Sequence, residues 1–386
     1  MKNKLKYFSL ILMLVIVFSA AACSPGGDPD VSSPKTEVSS SGPTEDQTET
    51  VTEVSTDTEE PETFIFTDSA GREVSLPANI EKIVPSGPLS QQILFSIAGD
   101  KMIALSNPIS ANEEQYLNEK YQPLPVIGQF FGSQDMNMEE LARLAPQVVI
   151  DVGEPKDNIA EDMNTITAQT GIPAIFIEAD LDKYGDAYRT LGQLLGKEEQ
   201  GNRLGEYCES VYADVQEKMS GIPEEERPSF AYLQGERGFN ALSKGTYHAT
   251  IMDMLGTNVV EVDNPSSRGS GDEINIEQLI IWDPEIIFFA SGSVYSEVDS
   301  DSAFSSLTAI KQDKYYEVPG QPYNWLGTPP SINRFIGLQW MAHILYPDVF
   351  TEDFEKITQE YYKLFYDYEM TSDEYSAMMT NSSLKE

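Results

Sequence analysis

The sequence predicts an α/β fold with two Rossmann-like lobes, parallel-rich sheets, a single long helix that joins the lobes, and a cleft between them. Three observations predict it. Residues 137–151 and 275–289 repeat one another, a long helical pattern separates the two copies, and short apolar runs suit strands buried in parallel sheets. Two copies at so long a period indicate two similar lobes rather than a solenoid.

The first residues have the pattern of an export signal. Three lysines precede a short apolar run from Leu10 to Phe18, which is too short to span a bilayer. Small residues and then Cys23 follow, an order typical of a bacterial lipoprotein with a lipidated cysteine. We therefore expect a signal peptide over 1–22 and an anchor at Cys23. The alternative is an ordinary secretory signal in which this cysteine has no role.

Residues 23–62 predict a disordered acidic tether, because a segment so poor in apolar residues cannot offset its ordering entropy. The signal carries three lysines and the tether a net charge of -10, so residues 63–386 carry -31 of the total of -38. This acidity argues against nucleic acid as a partner. Cys208 is the only cysteine after Cys23, and the chain has two histidines. No protein-built metal site and no cofactor are therefore expected.

The repeat pairs NMEELARLAPQVVID (137–151) with NIEQLIIWDPEIIFF (275–289) without gaps. In each copy an Asn stands where a helix N-cap is expected, and Glu or Gln follows three residues later, a pattern that resembles a capping box. A short helix should end before Pro146 or Pro284, and a buried strand should follow. A looser match relates residues 97–103 to 254–260, with Gly99 and Gly256 predicted as left-handed helix caps.

Apolar residues at helical spacing from Lys183 to Ser220 predict the joining helix, with a break near Gly196–Gly201. We therefore divide the body into an N-terminal lobe (63–182), the connecting helix (183–220) and a C-terminal lobe (221–386). The expected strands are 63–66, 73–76, 83–84, 103–104, 126–127, 148–150, 174–177, 229–232, 259–260, 286–289 and 316–318. Residues 68–71 should form a turn between edge strands, and the chain after Tyr346 should be mainly helical.

Several segments resemble the periplasmic binding proteins of importers for iron-siderophores, haem and cobalamin. These are FTDSAGREVSLP (66–77) followed by IVP (83–85), the repeated Glu-x-Leu…Pro segments, and WLGTPPSINRFIGLQW (325–340) with LYP (345–347). The resemblance covers residues 63–350. It implies a ligand cleft between two lobes, an ABC permease with its ATPase as partner, and a lipid-anchored monomer at the extracytoplasmic face of the membrane.

Glu139 and Glu277 occupy the positions at which the family docks onto permease arginines, so the resemblance implies that role for both. Equivalent points on two similar lobes can meet two similar permease subunits, and charge-assisted pairs would fix the register. The alternative is that each glutamate only favours its helix dipole.

Ligand contacts are expected on loops at the carboxyl ends of the strands. The candidates are small polar, aromatic and cationic residues: Ser86, Gln129, Phe130, Phe131, Arg237, Arg268, Tyr323 and Trp325. The resemblance adds Tyr247 and His248. The alternatives are solvated surface for the arginines and lobe packing for Tyr323 and Trp325; for Asn333 and Arg334 we expect helix capping, and for His343 a structural role.

Enzyme motifs such as GxSxG, a P-loop or HExxH do not occur in the sequence. We therefore expect a binding protein, and the family resemblance implies an iron(III)-siderophore-type chelate as the first choice of ligand. Cobalamin, haem and an oxyanion such as molybdate are alternatives. A glycoside hydrolase is a remote alternative function, and it would need two carboxylates facing one cleft. A surface adhesin is a third class of protein, but it would not need two matched lobes.

Overall fold

The computed structural model of this protein describes residues 62–131 and 135–385. The predicted signal peptide, Cys23 and nearly all of the predicted tether lie outside these residues. The N-terminal lobe contains β1 (Thr63–Thr67), β2 (Glu73–Pro77), β3 (Ile83–Pro85), α1 (Pro88–Ala98), α2 (Ala111–Glu114), α3 (Met138–Leu144), β4 (Val148–Gly153), α4 (Ile159–Thr170) and β5 (Ala174–Glu178).

The N-terminal lobe is built on a parallel sheet in the order β3-β4-β5, beside a separate antiparallel hairpin of β1 and β2. Gly71, at φ +75°, and the carboxylate of Asp68 form the predicted hairpin turn: Asp68 accepts hydrogen bonds from the amides of Ala70 and Arg72. The strands predicted at 103–104 and 126–127 form only isolated parallel bridges, Ile83 with Met102 and Leu105 with Val126.

Two helices follow this lobe, α5 (Tyr184–Leu195) and α6 (Glu198–Ser220). The predicted break is confirmed at Gly196, which takes φ +64° as the cap of α5. The sequence did not predict that α5 folds back along α6 as an antiparallel hairpin, so only α6 is the long connecting helix. Gly201 permits this packing, since a Cβ there would lie 2.5 Å from the carbonyl oxygen of Tyr188.

The C-terminal lobe contains β6 (Ser229–Gln234), β7 (Asn240–Ala241), α7 (Thr250–Leu255), β8 (Thr257–Asn258), β9 (Asp272–Glu273), α8 (Ile276–Trp282), β10 (Ile286–Phe289), α9 (Thr308–Lys311), β11 (Tyr315–Glu317), α10 (Asn333–Leu345), α11 (Phe354–Tyr366) and α12 (Ser372–Met378). Its sheet has the order β11-β10-β6-β7-β9, with β8 also paired to β6. Strands β6, β8, β10 and β11 are parallel, whereas β7 pairs antiparallel with both β6 and β9. The sequence predicted neither β7 nor β9. The predicted helical C-terminus is confirmed by α11 and α12.

The internal repeat is confirmed as a structural one. Asn137 caps α3 and Asn275 caps α8, each through its side-chain oxygen. The second copy forms a full capping box with Gln278, whereas Glu140 in the first copy pairs with Arg143 instead. The looser match also joins equivalent helix-to-strand turns, but the prediction of left-handed glycines was wrong. Gly99 and Gly256 both have negative φ, and a Cβ on Gly256 would press on the Phe230 ring and the Pro228 carbonyl.

One apolar core runs through both lobes by way of α5, α6, α10 and α11, and each sheet packs a smaller core on its other face. The strand β4 shows the division, because Val148 and Ile150 belong to the shared core and Val149 to the smaller one. The segment between α11 and α12 also reaches the first lobe, where the Gln115 amide donates to the Tyr368 hydroxyl at 2.8 Å. This continuity favours limited movement between the lobes.

Candidate functional site

A cleft of about 760 Å³ opens between the lobes at the carboxyl ends of β3 and β4. Its volume lies in the range typical of small-molecule sites. It is lined by Gly87, Pro88, Leu89, Ser90, Gln129, Phe131, Asp151, Val152, Glu154 and Lys156 from the first lobe. From the second lobe it is lined by Tyr247, His248, Ser267, Arg268, Gly269, Pro329 and Pro330.

The first lobe places a buried carboxylate, Asp151, in the second half of β4. It accepts hydrogen bonds from the hydroxyls of Ser86 and Ser90, and the Lys156 ammonium lies 3.4 Å from its second oxygen. Ser90 itself accepts from the Val152 amide at 2.8 Å. These contacts satisfy a carboxylate that is costly to bury alone, and they hold Lys156 at the cleft wall.

Lys156 also lies 4.2 Å from the centroid of the Phe131 ring, a cation–π contact that presents a charge and an aromatic face together. Glu154, two residues before it, is half-buried. Burial raises the pKa of Glu154, and the nearby charges of Lys156 and Arg334 oppose that effect. Its carboxylate has no hydrogen-bond partner among the residues that the structure describes.

The second lobe contributes a neutral imidazole. The Nδ1 of His248 lies 2.5 Å from the Gly327 carbonyl oxygen, and because a carbonyl only accepts, the proton is on Nδ1. The remaining nitrogen, Nε2, is thus left as an acceptor or metal ligand. Burial lowers the pKa of His248, the Gly327 hydrogen bond raises it, and the Arg334 charge lowers it further.

Tyr247, the neighbour of His248, covers a buried guanidinium. The central carbon of Arg334 lies 4.3 Å from the Tyr247 ring centroid, and Nη2 donates to the Tyr247 carbonyl. Burial raises the pKa of Tyr247 to about 12, so its hydroxyl is protonated at neutral pH.

The structure brings together five of the predicted ligand contacts in the cleft lining: Gln129, Phe131, Tyr247, His248 and Arg268. Ser86 lies directly behind the lining, where it binds Asp151. Part of the predicted loop after Gln129, residues 132–134, falls outside the described residues.

Four predicted contacts lie elsewhere. Trp325 is fully buried and packs near Phe354, and Tyr323 is buried beside Tyr366, so neither side chain lines the cleft. Phe130 packs into the smaller core of the first lobe. Arg237 lines a separate small pocket with Glu273. The loop residues were chosen by their position after strands, which does not reveal the direction of the side chains.

Other cleft residues were not among the predicted contacts. Asp151 lies within β4 and Lys156 lies three residues after its end, and the sequence signal was an acid directly after three apolar residues. Arg334 was expected only to cap α10, yet it is completely buried beside the cleft. A strongly charged residue one position inside an apolar helix was the signal that could have found it.

The glutamates Glu139 and Glu277 lie in the first turns of α3 and α8, as the repeat predicts. Both are exposed, and within residues 62–131 and 135–385 neither carboxylate forms an ion pair. The surroundings differ between lobes, because the residue four positions later is Arg143 in one and Ile281, at 81% exposure, in the other.

Two kinds of feature are absent from the described residues. These residues contain no group of three or more His, Cys, Asp or Glu side chains placed to hold a metal ion. None of their helices is both long and apolar enough to cross a bilayer. Cys208 is buried, and burial raises the pKa of its thiol.

Known solute-binding proteins share this architecture. The sequence model described as "Periplasmic binding protein" matches residues 90–322. An ABC transporter solute-binding protein from Sulfurospirillum deleyianum is 26% identical over 82% of this chain and 99% of its own, with a TM-score of 0.76. A periplasmic solute-binding protein from Veillonella parvula is 23% identical over 83% and 98%, with a TM-score of 0.70.

A third solved structure is a molybdate-binding protein from Haemophilus influenzae, determined with molybdate bound. It is 18% identical over 80% of this chain and 99% of its own, with a TM-score of 0.61, which compares the folds alone. No curated protein sequence matches this chain significantly.

Proposed function

Because this chain belongs to the periplasmic binding protein family, as the substrate-binding protein of an ABC transporter, we propose that its cleft captures an iron(III)-siderophore-type chelate. The observation that carries the proposal is the cleft, in which aromatic faces stand beside cationic side chains. Phe131 with Lys156 on one lobe and Tyr247 with Arg268 on the other can meet the flat, oxygen-rich surface of a metal chelate.

The size of the cleft supports a chelate over a bare ion. About 760 Å³ is ample for an organic ligand of many atoms. An oxyanion remains the second candidate, because the Haemophilus influenzae protein of similar fold binds molybdate. Cobalamin and haem remain alternatives of similar bulk, and the neutral His248 could ligate a metal in such a cargo.

We propose no catalytic step. Two carboxylates, Asp151 and Glu154, line the cleft, which is the minimum that a glycosidase would need. However, Asp151 is engaged by two hydroxyls and by Lys156, so it is poorly suited to act as an acid or a nucleophile. No resident cofactor is proposed; any metal arrives as part of the cargo.

Delivery to the permease and its ATPase is proposed to use Glu139 and Glu277. Their exposure and their equivalent places in two matched helices support docking on a pair of permease subunits. We further propose that the protein acts as a monomer, held at the extracytoplasmic face by a lipid on Cys23 and a tether formed by residues 23–62.

A thermal-shift screen tests the binding proposal. Residues 63–386 are melted with ferric siderophores, haem, cobalamin, molybdate and tungstate, since a ligand of the native state raises the melting temperature. A shift with a ferric chelate is expected. A shift with molybdate or cobalamin alone would replace the first choice of ligand, and hydrolysis of a sugar substrate without any shift would overturn the proposal.

Docking is tested by uptake of the identified ligand with the double variant Glu139→Ala, Glu277→Ala. The matched control is Glu161→Ala, Glu199→Ala, which removes exposed glutamates from the first turns of two other helices. Uptake should fall only in the first variant, with ligand affinity unchanged in both. Equal uptake with the two double variants would indicate that Glu139 and Glu277 only interact favourably with their helix dipoles.

A further inference from the structure

A buried cation beside the cleft lacks the partners that its burial demands. Arg334 has no solvent exposure, and its Nε and Nη1 have no hydrogen-bond partner among the described residues. Only Nη2 is engaged, by the Tyr247 carbonyl. A guanidinium removed from water and left without a carboxylate costs several kcal/mol, so a structural role alone is a poor reason to keep it.

Tyr247 separates this guanidinium from the cleft. One face of its ring covers Arg334 at 4.3 Å, and the same residue lines the cavity. The Tyr247 hydroxyl is also buried without a partner. Polar atoms without a hydrogen-bond partner from both Arg334 and Tyr247 therefore lie behind one wall of the cleft.

The charge of Arg334 reaches the cleft although its atoms do not line it. It opposes the rise in the pKa of Glu154 on the facing lobe, and it adds to the lowering of the pKa of His248. Both groups line the cavity. A buried charge acts over such distances because little water screens it.

The charges at the cleft do not follow those of the whole molecule. Lys156, Arg268 and Arg334 are cationic, whereas Asp151 and Glu154 are anionic, and His248 is neutral. Asp151 and Lys156 largely cancel as an ion pair. Asp180 interacts with Glu154 and Arg334 and adds a third carboxylate, so the charges around the cleft are balanced inside a chain of net charge -38. An anion would therefore meet less repulsion at the cleft than elsewhere on this protein.

We propose that the ligand of this cleft is an anion, and that Arg334 is its buried counter-charge, acting through Tyr247 as a positioning residue. This inference rests on the proposed function and narrows it to ligands of net negative charge, such as a ferric catecholate or an oxyanion. An anion against the Tyr247 wall would be attracted by the buried charge of Arg334 behind that ring.

The test compares binding of charged and uncharged ligands by Arg334→Gln, which removes the charge, and Arg334→Lys, which keeps it. Arg227→Gln is the matched control, because Arg227 is a half-buried arginine that donates to the Met254 and Ile222 carbonyls away from the cleft. The probes are a trianionic ferric tris-catecholate, dianionic molybdate, an uncharged ferric trihydroxamate and cyanocobalamin, each titrated by calorimetry.

Wild type should bind an anionic probe. Arg334→Gln should lose about tenfold or more of that affinity, the loss expected when a charge is removed from a partly desolvated site. Arg334→Lys should keep most of the affinity, and Arg227→Gln all of it. A second readout needs no ligand: the NMR titration midpoint of His248 should rise in Arg334→Gln, because a nearby cation no longer opposes protonation.

Three results would overturn the inference. Wild type could bind only uncharged probes, Arg334→Gln could weaken every probe equally through lower stability, or its affinity for the anion could be unchanged. Each of these leaves the binding proposal standing. If wild type binds none of the probes and none of the other screened chelates, the proposed function itself fails and the inference falls with it.

Discussion

The antiparallel hairpin of α5 and α6 makes one substitution unusually informative, Gly201→Ala. An added Cβ would lie 2.5 Å from the Tyr188 carbonyl oxygen and 3.0 Å from the Gly192 Cα. Ordinary contact begins at 3.4 Å, so the helices would have to separate by ~0.9 Å. Because both neighbours are backbone atoms, no change of rotamer can relieve the contact.

The expected magnitude follows from two opposing effects. Overpacking of this kind costs up to about 3 kcal/mol, and alanine gains about 1 kcal/mol over glycine in a helix. Gly201→Ala should therefore lower the free energy of unfolding by about 2 kcal/mol. The control is Gly185→Ala in α5, where the new Cβ would meet the carboxylate of Glu209, the movable end of a flexible side chain.

Urea denaturation followed by circular dichroism measures both variants on residues 63–386. Gly185→Ala should remain within about 1 kcal/mol of wild type, because helix propensity offsets any weakening of the exposed Glu209–Arg189 ion pair. If Gly201→Ala were as stable as wild type, the close packing of α5 on α6 would be refuted, and one continuous helix would be the better description.

Three further outcomes are expected. Trp325→Ala should lower the free energy of unfolding by about 3–5 kcal/mol in urea denaturation, because the indole is wholly buried. Ligand affinity should be unchanged. A loss of affinity with normal stability would support the predicted role of Trp325 as a ligand contact. Asp151→Ala should cost about 1–3 kcal/mol in urea denaturation, because Lys156 loses its partner. It should strengthen the binding of an anionic ligand in calorimetry, because the Lys156 charge is no longer compensated; unchanged binding would contradict a role for Lys156. The folded pKa of His248 is lowered, so stability should fall as pH decreases below about 6.5, where the unfolded chain takes up a proton first. The urea midpoints at about pH 7.5 and 5.5 should differ less in His248→Asn than in wild type. An equal difference in the two proteins would contradict a contribution of His248 to this pH dependence.

The sequence predicted the fold well where a pattern repeats or where backbone chemistry is specific. Matched asparagine caps and apolar strands at 137–151 and 275–289 predicted equivalent elements in two lobes, and Gly196 marked the end of α5. It failed at Gly201, because a glycine that lets two helices approach looks the same in sequence as a glycine that breaks a helix.

Prediction of the candidate site was less complete, because a loop position does not reveal the direction of a side chain. Phe131 and Trp325 were chosen for the same reason, yet one lines the cleft and the other lies in the core. Arg334 was missed because its importance depends on what surrounds it in three dimensions. Only the structure shows that Tyr247 covers it and that no carboxylate pairs with it in the described part of the chain.

The most direct test of the central claim is calorimetric titration of the ligand found in the screen against three proteins. These are wild type, the cleft variant Phe131→Ala with Arg268→Gln, and Arg237→Gln, which alters an exposed arginine outside the cleft. Capture between the lobes predicts one ligand per wild-type chain, strongly weakened binding by the cleft variant, and full binding by Arg237→Gln. Equal affinity in all three proteins would contradict a binding site in this cleft.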